Sequence, residues 1–381
     1  LKVSYLDFTT WQRQWFKGEI RDQHLEFWIK QLEGELPVLE LPTDFPRPSV
    51  LPHAASAVNL HFTQDQITRL TALGQRQGAT FYMTLLALYQ ILLARYSNQD
   101  EIIIGTPISG RNWTEINELL GFFVNTLVLR QKLDLNTSFD NHLRAVRENC
   151  IAAFSHQHTP FETVVQVLNP PRDTSRTPVY QTMFMFQDVR NRTDIMDGID
   201  VEQLQIDRVH IQSDLEFWVK QKQDGAIAQI EYNTALFRHD TMARMAEHFI
   251  NLVDALLANP DTTIGNIEFL SSQDVAQLEQ FNQTDARFPQ VDSIHSLMEA
   301  TANRKPGATA LVHDTTRLTY SDLNTRANQL ARYLQSNGVT NGTLVGVCME
   351  RQPNLLVSLL AILKAGGTYV PIDPTYPQER I

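Results

Sequence analysis

With 381 residues the chain is long enough for two or three domains, and its 43% hydrophobic and 20% charged composition is that of an ordinary globular protein. A formal net charge of -11 excludes a general nucleic-acid binder, which needs clustered Lys and Arg against phosphates. The two cysteines, Cys150 and Cys348, lie far apart in apolar contexts. They predict buried free thiols in a reducing, cytoplasmic setting rather than a disulfide.

LKVSYLDF lacks the order of a signal peptide, and the longest apolar stretch, residues 83–94, is too short to span a bilayer. Leu25, Trp28, Ile29 and Leu32 fall at helical spacing and predict a helix over 22–32. LPVLELPTDFPRPSVLP then packs five prolines into an extended connector, since neither a helix nor a central strand tolerates them. A strand is expected over 56–62, then a helix with Ile67, Leu70 and Leu73 on one face. A central helix follows around Phe81, Leu85, Leu88 and Leu92. EIIIG reads as a short buried strand and LGFFVNTLVLR, residues 120–130, as the next. Asn125 and Thr126 interrupt that apolar run like a flaw or a bulge, because an unpaired buried amide costs about 1–3 kcal/mol.

A helix over 139–155 carries Leu143, Val146 and Cys150 on one side. In TPFETVVQVL, Thr159 suits an N-cap, Pro160 the first helical position and Glu162 the third, so a capping box is expected with the helix starting at Pro160. Residues 179–186 and 226–232 read as strands. Residues 240–257 read as a helix whose core face is Met242, Met245, Phe249, Leu252 and Leu256. Weak periodicity around 275–278 inside the polar stretch 264–290 predicts an interdomain linker. Beyond it a helix is expected from Ser321 to Gly338, a strand at TLVGVCM, a helix over 355–363 stopped by Gly366 and Gly367, and a strand at TYVPID. That spacing suits a parallel βαβ unit, and the mixture throughout gives α/β or α+β.

No H-E-x-x-H, paired C-x-x-C, G-x-x-x-x-G-K-[ST] or G-x-S-x-G occurs. His156 and His158 are the closest histidine pair; with no third ligand in view, no metal is expected. Arg172, Asp173, Ser175 and Arg176 read on their own as a solvated turn before a strand.

Taken together and in order, four stretches resemble the later motifs of the condensation domain of nonribosomal peptide synthetases. They are YLDFTTW with Tyr5, Asp7 and Trp11, and GFFVNT with Gly121, Phe123, Asn125 and Thr126. HQHTPFE follows with His156, Gln157, Pro160, Phe161 and Glu162, then RDTSRTP with Arg172, Asp173, Ser175 and Arg176. Thr9 stands where the family usually has Ala, and His158 where it usually has Asp, which removes an acidic role there. Leu318, Thr319, Tyr320 and Leu323 in LTYSDL resemble the first core motif of an adenylation domain. Lys364, Ala365, Gly366 and Asp373 in LKAGGTYVPIDPTYPQERI resemble the second.

The resemblance implies an α/β fold: a chloramphenicol-acetyltransferase-like C-terminal lobe, then the opening of an acyl-adenylating fold. Residues 1–55 would end the N-terminal lobe and form the connector, and 56–270 the C-terminal lobe. Residues 271–293 would be the linker and 294–381 the adenylation start. It implies an elongation module that joins carrier-bound aminoacyl or peptidyl thioesters and activates an amino acid with ATP and Mg2+. The substrates would arrive on the 4′-phosphopantetheine arms of upstream and downstream carrier domains, with no nucleic acid or membrane involved.

The family's H-H-x-x-x-D-G signature precedes the first of these motifs and is absent from the chain. The chain is therefore expected to be a fragment, inactive alone, with no catalytic residue of its own. Gly121, Phe123, Asn125 and Thr126 would face the substrate tunnel; alternatively the Asn125 amide ties two strands together. Arg172 or Arg176 would support the Asp of the absent signature, or pair locally with Asp173. A standalone CoA-dependent acyltransferase and a non-catalytic carrier-docking module are the alternatives. The apolar helix at 355–363 and the last strand are expected to lack cover, so trimming near Gln290 should improve solubility.

Overall fold

The computed structural model describes residues 3–190, 209–223, 225–287, 293–377 and 379. Leu1, Gln290 and Ile381, each named above, lie outside them. The chain divides into two compact units, Leu1–Asn282 and Gln283–Ile381.

The first unit opens with helices α1 (Tyr5–Trp15) and α2 (Gly18–Gln31), and the proline-rich connector then runs without regular structure. There follow β1 (Ala55–Phe62), α3 (Gln64–Arg76), α4 (Phe81–Ser97), β2 (Glu101–Ile108), β3 (Asn125–Lys132), α5 (Phe139–Ser155), α6 (Phe161–Leu168), β4 (Thr182–Asp188), β5 (Leu215–Lys222), β6 (Gly225–Asn233), α7 (His239–Ala258) and α8 (Ser272–Phe281). The strands form one mixed sheet in the order β1-β6-β5-β4-β2-β3. Its central trio, β5, β4 and β2, is parallel, and the outer pairs are antiparallel.

Helix α4 is apolar all round, which is the pattern of a helix enclosed by protein. Residues from Leu85 to Leu93 are all buried there, against α3, α5, α7 and the sheet. No single helix among the described residues is long and apolar enough to cross a membrane. Side chains alternate across the strands. Phe184 of β4 and Phe217 of β5 meet the Tyr89 ring of α4 at 5.9 and 5.1 Å. Their neighbours Met183, Met185, Glu216 and Trp218 therefore emerge on the opposite face of the sheet.

Several expected boundaries move. The strand expected over 120–130 begins only at Asn125, because its partner β2 ends at Ile108, opposite Asn125. Residues 120–124 form a loop in which Leu120 is 93% and Phe122 77% exposed. Helix α6 begins at Phe161, not Pro160. Pro160 is its N-cap, Glu162 is at the second position, and the Thr159 hydroxyl makes no cap. The strand expected from 179 starts at Thr182, because Val179 sits at φ 71, a left-handed conformation that a β-branched residue rarely adopts. Strand β5 was not expected at all, and α8 occupies the first half of the expected linker.

The second unit contains α9 (Ile294–Arg304), the hairpin β7 (Thr309–His313) and β8 (Thr316–Thr319), α10 (Tyr320–Ser336), β9 (Leu344–Cys348), α11 (Pro353–Lys364) and β10 (Thr368–Ile372). Strands β9 and β10 pair in parallel on either side of α11, forming the expected βαβ unit. Helix α10 starts one residue before Ser321, with Thr319 and Asp322 as a capping box. The apolar face of α11 is covered, contrary to expectation. Val357 and Leu360 pack on Leu323 and Ala327 of α10, and Ala361 and Ala365 on Ala331. Tyr369 and Val370 of the last strand remain exposed. Cys150 is buried, but Cys348, at the end of a strand in a two-stranded sheet, is exposed.

Candidate functional site

The four motifs of the first unit interlock in space. Gly121 is where the chain passes under the Tyr5 ring; a Cβ there would overlap it. The Tyr5 hydroxyl donates to the Phe122 carbonyl at 2.8 Å. Phe123 is buried with Phe8, Ile116 and Leu119, its ring 4.8 Å from that of Phe8. Asp7 caps α1 by accepting from the Ser4 amide at 2.9 Å, and Trp11 packs on Trp113 at 4.8 Å.

The next link is Asn125. Its Nδ2 donates to the carbonyls of Gln157 at 2.9 Å and Thr159 at 2.8 Å, and its Oδ1 accepts from the Phe161 amide at 3.0 Å. Phe161 is the first residue of α6, so this side chain caps that helix from a distant strand. It does what the Thr159 hydroxyl was expected to do. The Phe161 ring in turn lies 5.5 Å from Tyr180.

Tyr180 follows the fourth motif. There Asp173 accepts from the Ser175 amide and hydroxyl at 2.8 and 2.6 Å and from Arg176 at 2.9 Å. These bonds, those of Ser175 foremost, hold the Asp173 carboxyl down at about 2. Arg176 is thus engaged locally and Arg172 is exposed. The Tyr180 ring lies over Gly105, where a Cβ would come within 2.9 Å of it. Its hydroxyl is hydrogen bonded to the Thr126 side chain. Burial, then the nearby Glu216, push that hydroxyl up to about 12.

Here a cavity of about 910 Å3 opens on the face of the sheet opposite α4. Ile108, Met183, Met185 and Trp218 supply apolar wall; Thr126, Tyr180, Ser213 and Glu216 supply polar points. That mixture, an apolar wall with a few polar anchors, is typical of small-molecule sites. Of the residues expected to face a tunnel, Thr126 lines this cavity together with Val124, whereas Gly121, Phe123 and Asn125 support the loop and strand that shape it.

His156 and His158 acquire a neighbour that sequence spacing could not show. His24 of α2 brings its Nδ1 within 3.0 Å of His156 Nδ1, and its ring lies 6.1 Å from that of His158. Burial holds all three below the usual imidazole range, and the other two lower His24 further. Among the described residues no group of three or more His, Cys, Asp or Glu is placed to hold a metal.

In the second unit, Leu318 and Leu323 are buried, and Thr319 caps α10, whose first residue is Tyr320. Lys364 is bonded to Glu299 and, at 2.8 Å each, to Asn324 and Asn328. Ala365 is buried, and Gly366 takes φ +88 just past the end of α11. Asp373 accepts from the Thr375 amide at 2.9 Å. These side chains organise the unit's own turns and helix ends.

The cavity residues missed at the sequence level are Tyr180, Met183, Met185, Ser213, Glu216 and Trp218. One signal was available: Leu215, Phe217 and Val219 alternate with polar or amphipathic residues, the period of a strand.

The family model for the condensation domain matches residues 1–279, and that for AMP-binding enzymes matches 298–381. One of the linear gramicidin synthase proteins of Brevibacillus parabrevis is 42% identical over the whole chain, which spans 7% of that relative's length. Gramicidin S synthase 2 of Brevibacillus brevis is 36% identical over the whole chain, which spans 9% of it. Among solved structures, the nonribosomal peptide synthetase FmoA3 in its AMPPNP-bound form superposes with TM-score 0.78 at 21% identity, covering 100% of this chain and 40% of that one. At that identity the likeness speaks for the fold alone.

Proposed function

Because this chain belongs to the condensation-domain family and runs on into the AMP-binding enzyme family, we propose that it is the condensation–adenylation junction of an elongation module in a nonribosomal peptide synthetase. The observation that carries the proposal is the order of the two families in one chain, with the four condensation motifs linked in space and the second and fourth of them reaching one cavity. The cavity is then the C-terminal-lobe wall of the channel in which two carrier-bound thioesters meet.

In the reaction, the acceptor amine attacks the donor thioester carbonyl. A C–N bond forms, the C–S bond breaks, and the donor arm leaves as a thiol that takes up the proton lost by the amine. This chain contributes positioning, which lowers the barrier by holding the reactants in an attacking geometry. Asn125 fixes β3 to the start of α6 and so sets where Val124 and Thr126 face the cavity. Tyr180, its hydroxyl held protonated at neutral pH, offers a hydrogen-bond donor rather than a base. The apolar wall of Ile108, Met183 and Met185 suits the methylene stretches of a phosphopantetheine arm and keeps water from the thioester. Proton transfer at the amine is not assigned to a residue of this chain.

Residues 1–55 are the end of the first lobe and the connector, 56–282 the second lobe with α8 fastened to it, 283–293 the linker and 294–381 the opening of the adenylation domain. ATP is the proposed co-substrate of that domain, and carrier domains are the proposed partners. The two adenylation-like motifs are committed to local structure, so no step through a nucleotide or Mg2+ is assigned to them.

The test uses the full-length protein with its upstream carrier loaded with one aminoacyl group and its downstream carrier with another. Mass spectrometry of the downstream arm should show a dipeptidyl thioester. Transfer of an acyl group from free CoA instead, with no carrier-to-carrier transfer, would favour the acyltransferase alternative and overturn the proposal.

A further inference from the structure

Glu216 is the one carboxylate lining the cavity among the described residues, and positioning of the arms gives it no role. It stands on β5 opposite Met183 of β4 and is 6% exposed. The Ser213 hydroxyl donates to it at 3.0 Å, and Glu231 of β6, 2% exposed, stands directly opposite it on the neighbouring strand. No lysine or arginine is among the described lining residues. The Arg47 guanidinium nearby in the fold is engaged with Asp214 and the Ser175 carbonyl. Of the other titratable lining groups, Tyr180 is neutral, His53 places Nδ1 3.0 Å from the Ile211 carbonyl, and His210 is exposed.

A carboxylate set in a largely apolar wall calls for a cation or several donors, because desolvation penalises its charge. The aromatic rings of Trp218 and Tyr180 on the same wall would add favourable contacts to a cation and none to an anion. We propose that Glu216 receives a protonated amine of the aminoacyl substrate held in this cavity. The proposal rests on the condensation function above. An ammonium can come from two sources: a basic side chain of ornithine or lysine type, or the α-amino group of the acceptor before it is deprotonated for attack.

The experiment compares wild type and Glu216→Gln in the full-length protein, with the upstream carrier loaded and aminoacyl-pantetheine thioesters supplied as acceptors. Ornithinyl and norleucyl acceptors are of similar length, but only the first has a second amine. A drop in kcat/KM of about tenfold for the ornithinyl acceptor alone assigns Glu216 to the side chain, and a drop of that size for both assigns it to the α-amine. Either supports the proposal. Changes below about twofold for both acceptors, with wild type active, overturn it and leave the condensation function standing. If wild type makes no amide with either acceptor, the function itself fails and the proposal with it.

A calorimetric titration of wild type avoids dependence on the variant's folding. Norleucyl-pantetheine, its N-acetyl derivative and ornithinyl-pantetheine should differ in affinity by about tenfold in at least one step. Three equal affinities overturn the proposal.

Discussion

Asn125 makes three hydrogen bonds, two to the loop before α6 and one to the first residue of that helix, so its removal affects more than one contact. Losing them should cost about 2–4 kcal/mol, each being worth about 1 kcal/mol with an added penalty for groups left unsatisfied. Urea denaturation of Asn125→Ala should show that loss, and any fall in condensation should follow from it. A variant of unchanged stability that still fails in condensation would mean the amide acts on substrate directly.

A second residue-scale effect belongs to His142, which is 3% exposed on α5 and hydrogen bonded to the backbone of Ala87. Burial lowers its pKa to about 4. The folded state therefore keeps it neutral while the unfolded chain takes a proton below its ordinary value of 6.5. Stability should fall as pH drops from the ordinary value toward the folded one, by about 3 kcal/mol in all, and His142→Gln should flatten that slope. His24, His156 and His158 shift in the same direction, so some slope should remain. Parallel pH profiles for the variant and wild type would contradict this.

Among elements, α8 is held in an unusual way, having no buried residue of its own. It is fastened through Asp274. This carboxylate accepts from the Ser271 amide and from His248 Nε2, both at 2.9 Å, while His248 Nδ1 lies 2.6 Å from the Tyr96 hydroxyl. The bonds from Ser271, then His248, lower the Asp274 pKa to about 2. Asp274→Ala should make residues 271–282 the first site of limited proteolysis while the melting temperature of the first unit changes little. An unchanged cleavage pattern would show that α8 is fastened elsewhere.

The helices with one apolar face, and α4 with apolar residues all round, were legible in the sequence because periodicity reports burial directly. Residues 120–124 misled for the same reason. Leu120, Phe122 and Val124 alternate like a strand, yet β2 has ended and no partner remains to extend the ladder. The true start of α6 was hidden because its cap comes from a residue far away in sequence. Local motif rules look for that cap among immediate neighbours.

For the molecule as a whole, the two families and their order were legible from short motifs, because those motifs are packing devices: Gly121 under Tyr5, Asn125 on α6, Asp173 on Ser175. The cavity was not legible. Its walls come from the connector end at His53, β2, β3, the Tyr180 turn, β4 and β5, and only the strand order brings them together.

Under the proposed function this cavity serves condensation and not the adenylation chemistry. Val124→Trp places a bulky ring at the cavity wall from a position that is 49% exposed and so tolerates it. In the full-length protein, dipeptide formation on the downstream carrier should fall by about a hundredfold or more, while ATP–pyrophosphate exchange stays at the wild-type rate. Unchanged dipeptide formation in Val124→Trp would contradict the assignment of this cavity to condensation.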